Sequence, residues 1–378
     1  MSVEIRQVTT RSELRKFVRF PEKLYRDNPY YVPYLEFDQM DTLDQKKGAA
    51  QAFCDSALYM AYRDGEAVGR VAAIVNRKAN EQWNHKEVRF GWFDFIDDRE
   101  VSSALMEKVY EFGREHGMDT VVGPLGFTDF DPEGMLVDGF DQMSTMPLIY
   151  NHPYYVDHMD SMGFEKDADW VELRITVPSV LPPKLERLYP IIEQRTSVHI
   201  RPINRKIVRE ENYGRKVFNL INECYKDLYD FTILPDDMAD KYLGFYLSIL
   251  DLDYLSMAEN EKGELVAFAI TMPGLIKALQ KSRGRLFPFG WWHILKSMYW
   301  KHEDTAELLL IGVRPDYQNS GINALVLADC FRKFNKFKVK YAETNAILET
   351  NTANLAQMGM FEHIMKKRRR SYKKAIEK

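Results

Sequence analysis

Ile311-Gly312-Val313-Arg314-Pro315-Asp316-Tyr317-Gln318-Asn319-Ser320-Gly321-Ile322-Asn323-Ala324 is the stretch on which the reading of the fold turns. It completes an apolar run, AELLLIGV at 306–313, whose pattern predicts a strand. Pro315 has no N–H and stops a ladder. A short polar loop with one glycine then opens into a second apolar run, where Ile322, Leu325, Val326, Cys330 and Phe334 share one helical face. Strand, loop and helix in that order gather unpaired backbone N–H groups at the positive end of a helix macrodipole. Such a place suits a phosphate or pyrophosphate. The same residues also describe an ordinary helix start capped by Ser320 or Asn319. Neither the P-loop pattern G-x-x-x-x-G-K-[ST] nor the dinucleotide fingerprint G-x-G-x-x-G is present.

Outward from this stretch, alternation predicts a strand at 338–346 downstream. Upstream it predicts a hairpin of 254–259 with 264–271 about Lys262-Gly263. The first half carries the same order of signals. A strand at 3–8 precedes a helix from Arg11, and a hairpin of 57–63 with 66–75 turns at Asp64-Gly65. A strand at 88–96, a helix over 100–116 ended by Gly117, and a strand at 120–122 follow. Local matches pair Val3 with Val198, Leu58 with Leu255 and Met162 with Met358, each about 196 residues apart, which reads as a duplication. Prolines at 178, 182, 183 and 190 mark the boundary. The expected organisation is one unit at 1–177, a linker at 178–197 and a second unit at 198–378. Each copy has its own insertion, 126–150 in the first and 273–304 in the second; loops of that length inside a compact unit are commonly functional.

The 378 residues balance 52 Lys and Arg against 56 Asp and Glu, for a formal net charge of −4. That balance argues against a nucleic-acid-coating role. No run reaches the roughly 20 apolar residues of a membrane helix, and the first thirty residues lack a signal-peptide core, so a cytoplasmic protein is expected. Three scattered cysteines, Cys54, Cys224 and Cys330, make neither a disulfide framework nor a zinc cluster, and no metal is expected.

V-x-P-x-Y-Q-x-x-G at Val313 to Gly321 resembles the acyl-coenzyme A-binding motif of the GCN5-related N-acetyltransferases (the GNAT superfamily). The resemblance implies an α/β fold of two tandem GNAT-like domains, each a mixed, mostly antiparallel sheet flanked by helices. It implies a pantetheine-binding strand at Ile311, Gly312 and Val313, and a pyrophosphate loop formed by Gln318, Asn319, Ser320, Gly321, Ile322 and Asn323. Glu343-Thr344-Asn345 through Asn351 and Asn354 to Met358-Gly359-Met360-Phe361 resembles the second motif of that family, with Asn351 and Asn354 as cofactor contacts or plain helix caps. Two departures stand out: Asn323 replaces a small residue, and Leu355 stands where many members have a tyrosine acid. In the first copy the loop position reads Ile96-Asp97-Asp98-Arg99-Glu100, whose carboxylates repel a pyrophosphate, so that copy is expected to have lost cofactor binding.

The implied activity is transfer of an acyl group, acetyl first, from acetyl-CoA or another acyl-CoA to a small-molecule or peptide amine. A non-catalytic ligand-sensing or interaction module of the same fold is the alternative, and an aminoacyl-tRNA-dependent transferase is a third. Acyl transfer to an amine needs a base and a donor for the thiolate. Glu307 and Glu343 on adjacent strands are the candidate bases, and Tyr372 the candidate acid. Lys366 to Arg370 reads as a basic, solvated sheet edge. The aromatic segment from Leu286 to Trp300 reads as an interface buried between the halves, and Asp94, Asp97, Asp98, Asp129 and Asp131 as solvated turns.

Overall fold

The computed structural model describes residues 2–146, 148–235 and 250–377; Pro147 of the first insertion lies outside them. β1 (Glu4–Gln7) leads into α1 (Arg11–Leu24), whose start Thr10 and Glu13 close as a reciprocal capping box. After α2 (Glu36–Thr42), the hairpin of β2 (Cys54–Arg63) and β3 (Glu66–Asn76) turns through Asp64 and Gly65. Both turn residues have positive φ, as a two-residue hairpin loop demands. Next come α3 (Arg77–Trp83), β4 (Glu87–Phe95), α4 (Arg99–Glu115), β5 (Thr120–Gly123), β6 (Met135–Asp138), α5 (Tyr154–Ser161) and β7 (Glu165–Thr176). The second half runs α6 (Pro183–Thr196), β8 (His199–Ile200), α7 (Arg205–Glu210), α8 (Tyr213–Tyr225), β9 (Leu255–Glu259) and β10 (Leu265–Pro273). It ends with α9 (Ile276–Ser282), α10 (Gly290–Tyr299), β11 (Thr305–Val313), α11 (Ile322–Lys336), β12 (Tyr341–Thr344), β13 (Ile347–Leu348), α12 (Thr352–Met358) and β14 (His363–Ala375).

The two copies share one fourteen-stranded sheet; twelve strands run in the order β1-β2-β3-β4-β5-β14-β7-β12-β11-β10-β9-β8, while β13 pairs with β7 and β6 with β14. Pairing is antiparallel except for β4 with β5 and β11 with β12, the same place in each copy. Each half lends its last strand to the other. β14, from the chain end, pairs with β5 of the first half, and β7 pairs with β12 of the second. β7 and β14 then pair with each other along almost their whole length and form the seam.

Helices cover the faces. Val101, Leu105, Val109 and Phe112 seat α4 on the first half, and Ile322, Leu325, Val326, Cys330 and Phe334 seat α11 on the second, all buried. The expected linker is not an open connection. Residues 183–196 form α6, and Leu185, Leu188, Tyr189 and Ile192 pack it onto α11.

The basic run at 366–370 is not a solvated edge. β14 lies in the middle of the sheet, where Lys366, Lys367 and Arg369 are buried. Lys366 meets Glu343 at 2.5 Å, Arg369 meets Glu172 at 2.5 Å, and Arg370 meets Asp169 at 2.8 Å. The compensating acids come from β7 and β12, distant in sequence, which is why the run alone reads as solvent-facing.

Candidate functional site

β11 is paired on both sides only over Thr305 to Leu308, opposite Tyr341 to Thr344 of β12. Its β10 side stays paired out to Val313, with a bulge at Ile270 and Thr271 that leaves Leu309 without an opposite residue. On the other side β12 peels away. The Asn345 N–H donates to the Leu308 carbonyl at 2.9 Å, and its side-chain amide to the Leu309 carbonyl at 3.4 Å. Beyond that point the edge of β11 faces a cavity. Among the described residues the Tyr225 hydroxyl, at the end of α8, meets it there, accepting from the Ile311 N–H at 3.1 Å and donating to the Ile311 carbonyl at 2.9 Å. Gly312 lets α8 approach so closely, since a Cβ there would lie 3.0 Å from the Cys224 sulfur and 2.6 Å from the Phe268 ring.

Past Val313 the chain turns through Pro315 to Tyr317 and enters α11 at Gly321, whose φ of +89° favours glycine. Among the described residues no side chain caps α11. Ser320 donates instead to the Tyr317 carbonyl, so neither Ser320 nor Asn319 takes up the first N–H groups of the helix. Arg195 of α6 hydrogen-bonds the Ser320 carbonyl and sets a cation beside them. The corresponding place in the first copy is filled. Asp98 caps α4 through the Glu100 and Val101 N–H groups and pairs with Arg63 at 2.6 Å. There, too, the Leu125 N–H binds the Phe90 carbonyl, so the chain runs on along β4 where β11 stands open.

Two cavities meet at β11. One is lined by Leu308 to Ile311, Tyr225, Trp170, Asn351 and Asn354. The other is apolar, walled by Val217, Phe218 and Ile221 of α8 with Leu255, Met257 and Ile270 of the sheet. Asp129, Phe130, Glu133, Leu309, Leu310 and Asn345 line both. The first insertion thus reaches across the seam and supplies acids to a cavity of the second copy. Glu133 sits deep in the protein yet keeps surface open to this junction. Burial lifts its carboxyl well above the usual range, and the charge of Asp129 adds to the lift. Burial likewise moves Asp129 and Asp131 up to about 7. Asp94 is buried and pairs with Arg70 at 2.7 Å, and Asp129 and Asp131 are half-buried rather than solvated, whereas Asp97 lies exposed as expected.

Ile311, Asn351 and Asn354 border one cavity, while Gln318 to Asn323 lie at the far end of β11 and line neither. Asn351 caps α12 by accepting from the Asn354 N–H at 3.1 Å. The expected acid–base residues fall elsewhere. Glu343 accepts from Arg174 at 2.6 Å and Lys366 at 2.5 Å and lines neither cavity. Both its oxygens are engaged by cations, and the carboxylate is 2% exposed within this ion-pair cluster, away from both cavities. Its neighbour Glu307 is 2% exposed, and burial pushes it up to about 8; it meets the Met146 N–H at 3.4 Å behind the apolar cavity wall. Tyr372 is buried in the first-half core with Tyr155 and Met159, across the seam from α11. Sequence reasoning missed Glu133, Tyr225 and Arg195. The one signal for Glu133 was the length and acidity of the 126–150 insertion; nothing local marked Tyr225 or Arg195.

No protein-family model matches the chain. Protein YghO of Escherichia coli (strain K12) is 29% identical over 384 residues, covering 98% of this chain and 95% of that protein. A bacterial ceramide synthase of Caulobacter vibrioides (strain NA1000 / CB15N) is 22% identical over 318 residues, covering 83% and 81%. Among solved structures, a tandem GNAT protein from the clavulanic acid biosynthesis pathway superposes with a TM-score of 0.58 at 11% identity, covering 100% of this chain and 99% of that one. A GCN5-related N-acetyltransferase from Sphaerobacter thermophilus gives 0.51 at 13% identity, covering 100% and 96%. The chain has the tandem GNAT fold, with the first copy altered at the loop where the second keeps an uncapped helix start.

Proposed function

From the tandem GNAT fold we propose that this protein is an acyl-CoA-dependent N-acyltransferase, transferring an acyl group from coenzyme A to an amine in the cytoplasm. The observation that carries the reading is the pairing of an open β11 edge with an uncapped α11 start. The edge offers backbone groups to the amides of a pantetheine arm, with the Tyr225 hydroxyl giving way at Ile311. The N–H groups of α11, with Arg195 beside them, receive the pyrophosphate. Glu133 takes the proton of the attacking amine. The N–C bond forms, the C–S bond breaks, and the thiolate takes up a proton as it leaves.

The apolar cavity favours a long alkyl chain on the acyl group or the acceptor. A relative named as a ceramide synthase points the same way, since ceramides are fatty amides of long-chain amino alcohols. Calorimetry with acetyl-CoA and palmitoyl-CoA, followed by turnover on a long-chain amino alcohol and on short amines, tests both levels. Binding of neither donor overturns the reading. Leu355, packed against the core of the second half and without a proton to give, favours the sensing-module reading, for which donor binding without turnover on any amine is the distinguishing result.

Two variants sharpen the test. Gly321→Val forces a branched side chain into a positive-φ position, at a strain of about 1–3 kcal/mol, and brings it against Ile192. Acyl-CoA affinity is expected to fall with overall folding retained, read by calorimetry alongside thermal unfolding. Val217→Trp fills the apolar cavity. Turnover with long-chain substrates should drop, while acetyl transfer to a short amine, where present, is spared.

A further inference from the structure

The aromatic segment from Leu286 to Trp300 is not buried between the halves, although the stretch before it meets the first half, where the Glu36 N–H donates to the Gly284 carbonyl at 2.9 Å. α9 and α10 form a hairpin whose connecting loop and outer face carry large apolar rings: Phe287 is 79% exposed, Phe289 71%, Trp300 66% and Trp292 46%. Four rings on α10 and at its end adjoin one another, with centroids 6.0 Å apart for Trp291 and Trp292, 5.6 Å for Trp292 and Trp300, and 6.3 Å for Tyr299 and Trp300; Phe287 and Phe289 stand on the loop that leads into that helix. A soluble surface rarely leaves so much aromatic area together without a partner.

The hairpin itself carries charge of one sign, and the nearest acid in sequence, Glu303, meets only its base, accepting from the Lys277 N–H at 2.8 Å. Residues 265–302 contain six Lys and Arg and no Asp or Glu, in a chain whose net charge is −4. Lys277, Lys281, Arg283, Lys296 and Lys301 are all exposed; Arg285 alone turns inward, to Glu22 at 2.5 Å. Aromatic rings amid basic side chains match the headgroup region of an anionic bilayer, where rings sit at the interface and cations meet lipid phosphates. Face-to-face pairing of two copies would set like charges against each other, so a second copy fits poorly. The underside of the hairpin also connects inward. Ile276, Leu279 and Met298 pack in the same core as Val217, Ile221, Leu255 and Met257, which wall the apolar cavity.

We propose that the α9–α10 hairpin docks this protein on an anionic lipid surface, with Phe287, Phe289, Trp292 and Trp300 inserted at the interface and the surrounding lysines on the headgroups. No helix among the described residues is long and apolar enough to cross a membrane, so the attachment is to the surface. Vesicle binding is read without acyl donor or amine, and it stands or falls independently of acyl transfer.

The full-length chain is tested by co-sedimentation with phosphatidylcholine vesicles and with vesicles also containing phosphatidylglycerol. Binding is expected to the anionic vesicles, weakened by salt, with tryptophan emission quenched by brominated acyl chains. Lys281→Glu and Lys296→Glu should each lower partitioning by roughly five-fold or more. Phe287→Ser with Phe289→Ser and Trp292→Ser should abolish the quenching while thermal unfolding stays close to wild type, since these side chains are exposed. Equal binding to both vesicle types, or binding indifferent to both sets of substitutions, overturns the proposal. So does a patch-dependent dimer in analytical ultracentrifugation, or patch-dependent binding of single-stranded RNA with none to vesicles.

Discussion

Glu133→Gln lowers kcat by about 10²–10⁴, the usual worth of a positioned general base, and leaves acyl-CoA affinity close to wild type. The substitution keeps the shape of the side chain and removes only its capacity to take a proton. Glu133 lines both cavities where they meet at Leu309, Leu310 and Asn345, whereas Glu307 and Glu343 line neither. Burial holds its carboxyl well above the ordinary range, closer to the pKa of an ammonium than a surface glutamate is. The wild-type kcat therefore rises with pH as Glu133 ionises, and the variant loses that limb of the profile. Stability runs the other way. A carboxyl whose folded pKa is raised favours folding fully below its unfolded pKa, and that contribution is lost as pH rises through the folded value. Activity gained with pH is thus accompanied by stability lost, a trade-off of the kind that marks working sites. If Glu133→Gln retains the wild-type kcat and pH profile, proton removal belongs to another group, and Asp129→Asn is the next variant to measure.

The parts of this molecule that sequence made legible are those encoded within a few residues. The strand–loop–helix at 311–324, the Asp64-Gly65 turn and the apolar face of α11 follow from local periodicity and turn chemistry, and they stand where expected. What was hidden depends on pairing across the duplication. Lys366, Lys367 and Arg369 look like surface residues until β7 and β12 bring Glu172 and Glu343 against them. Nothing within β14 announces the partners of that strand. Glu133 was hidden for a different reason. It lies in an irregular loop, where no period tells inward from outward, and only the fold shows that the loop crosses into the other copy. The aromatic hairpin reverses the error: Phe287 and Trp300 have the composition of a core and lie on the surface.

Glu172→Gln is expected to cost about 3–5 kcal/mol of stability, the range for removing one partner of a buried ion pair, seen as a large fall in Tm. Glu172 is buried between Arg369 at 2.5 Å and Lys367 at 3.6 Å. A guanidinium is a permanent charge, so the substitution strands one in the interior. Lys367 has an escape. Burial already lowers its pKa to about 7, against the pull of Glu172, and without that carboxylate it sheds its proton more readily. The loss should therefore be greater in mildly acid than in mildly alkaline solution, where a neutral Lys367 relieves part of it. Arg369→Met together with Glu172→Gln should recover much of the deficit, because pairs removed together are often replaced by apolar packing at little cost. Activity should not recover in parallel. Arg369 also donates to the carbonyls of Gly134 and Ile149, at 3.3 and 2.5 Å, and so ties the seam of the sheet to the loop that carries Glu133. A double variant that regains Tm but stays slow in acyl transfer, with its acyl-CoA affinity intact, identifies Arg369 as the residue that positions the base. Recovery of both Tm and kcat restricts its role to holding the two halves together.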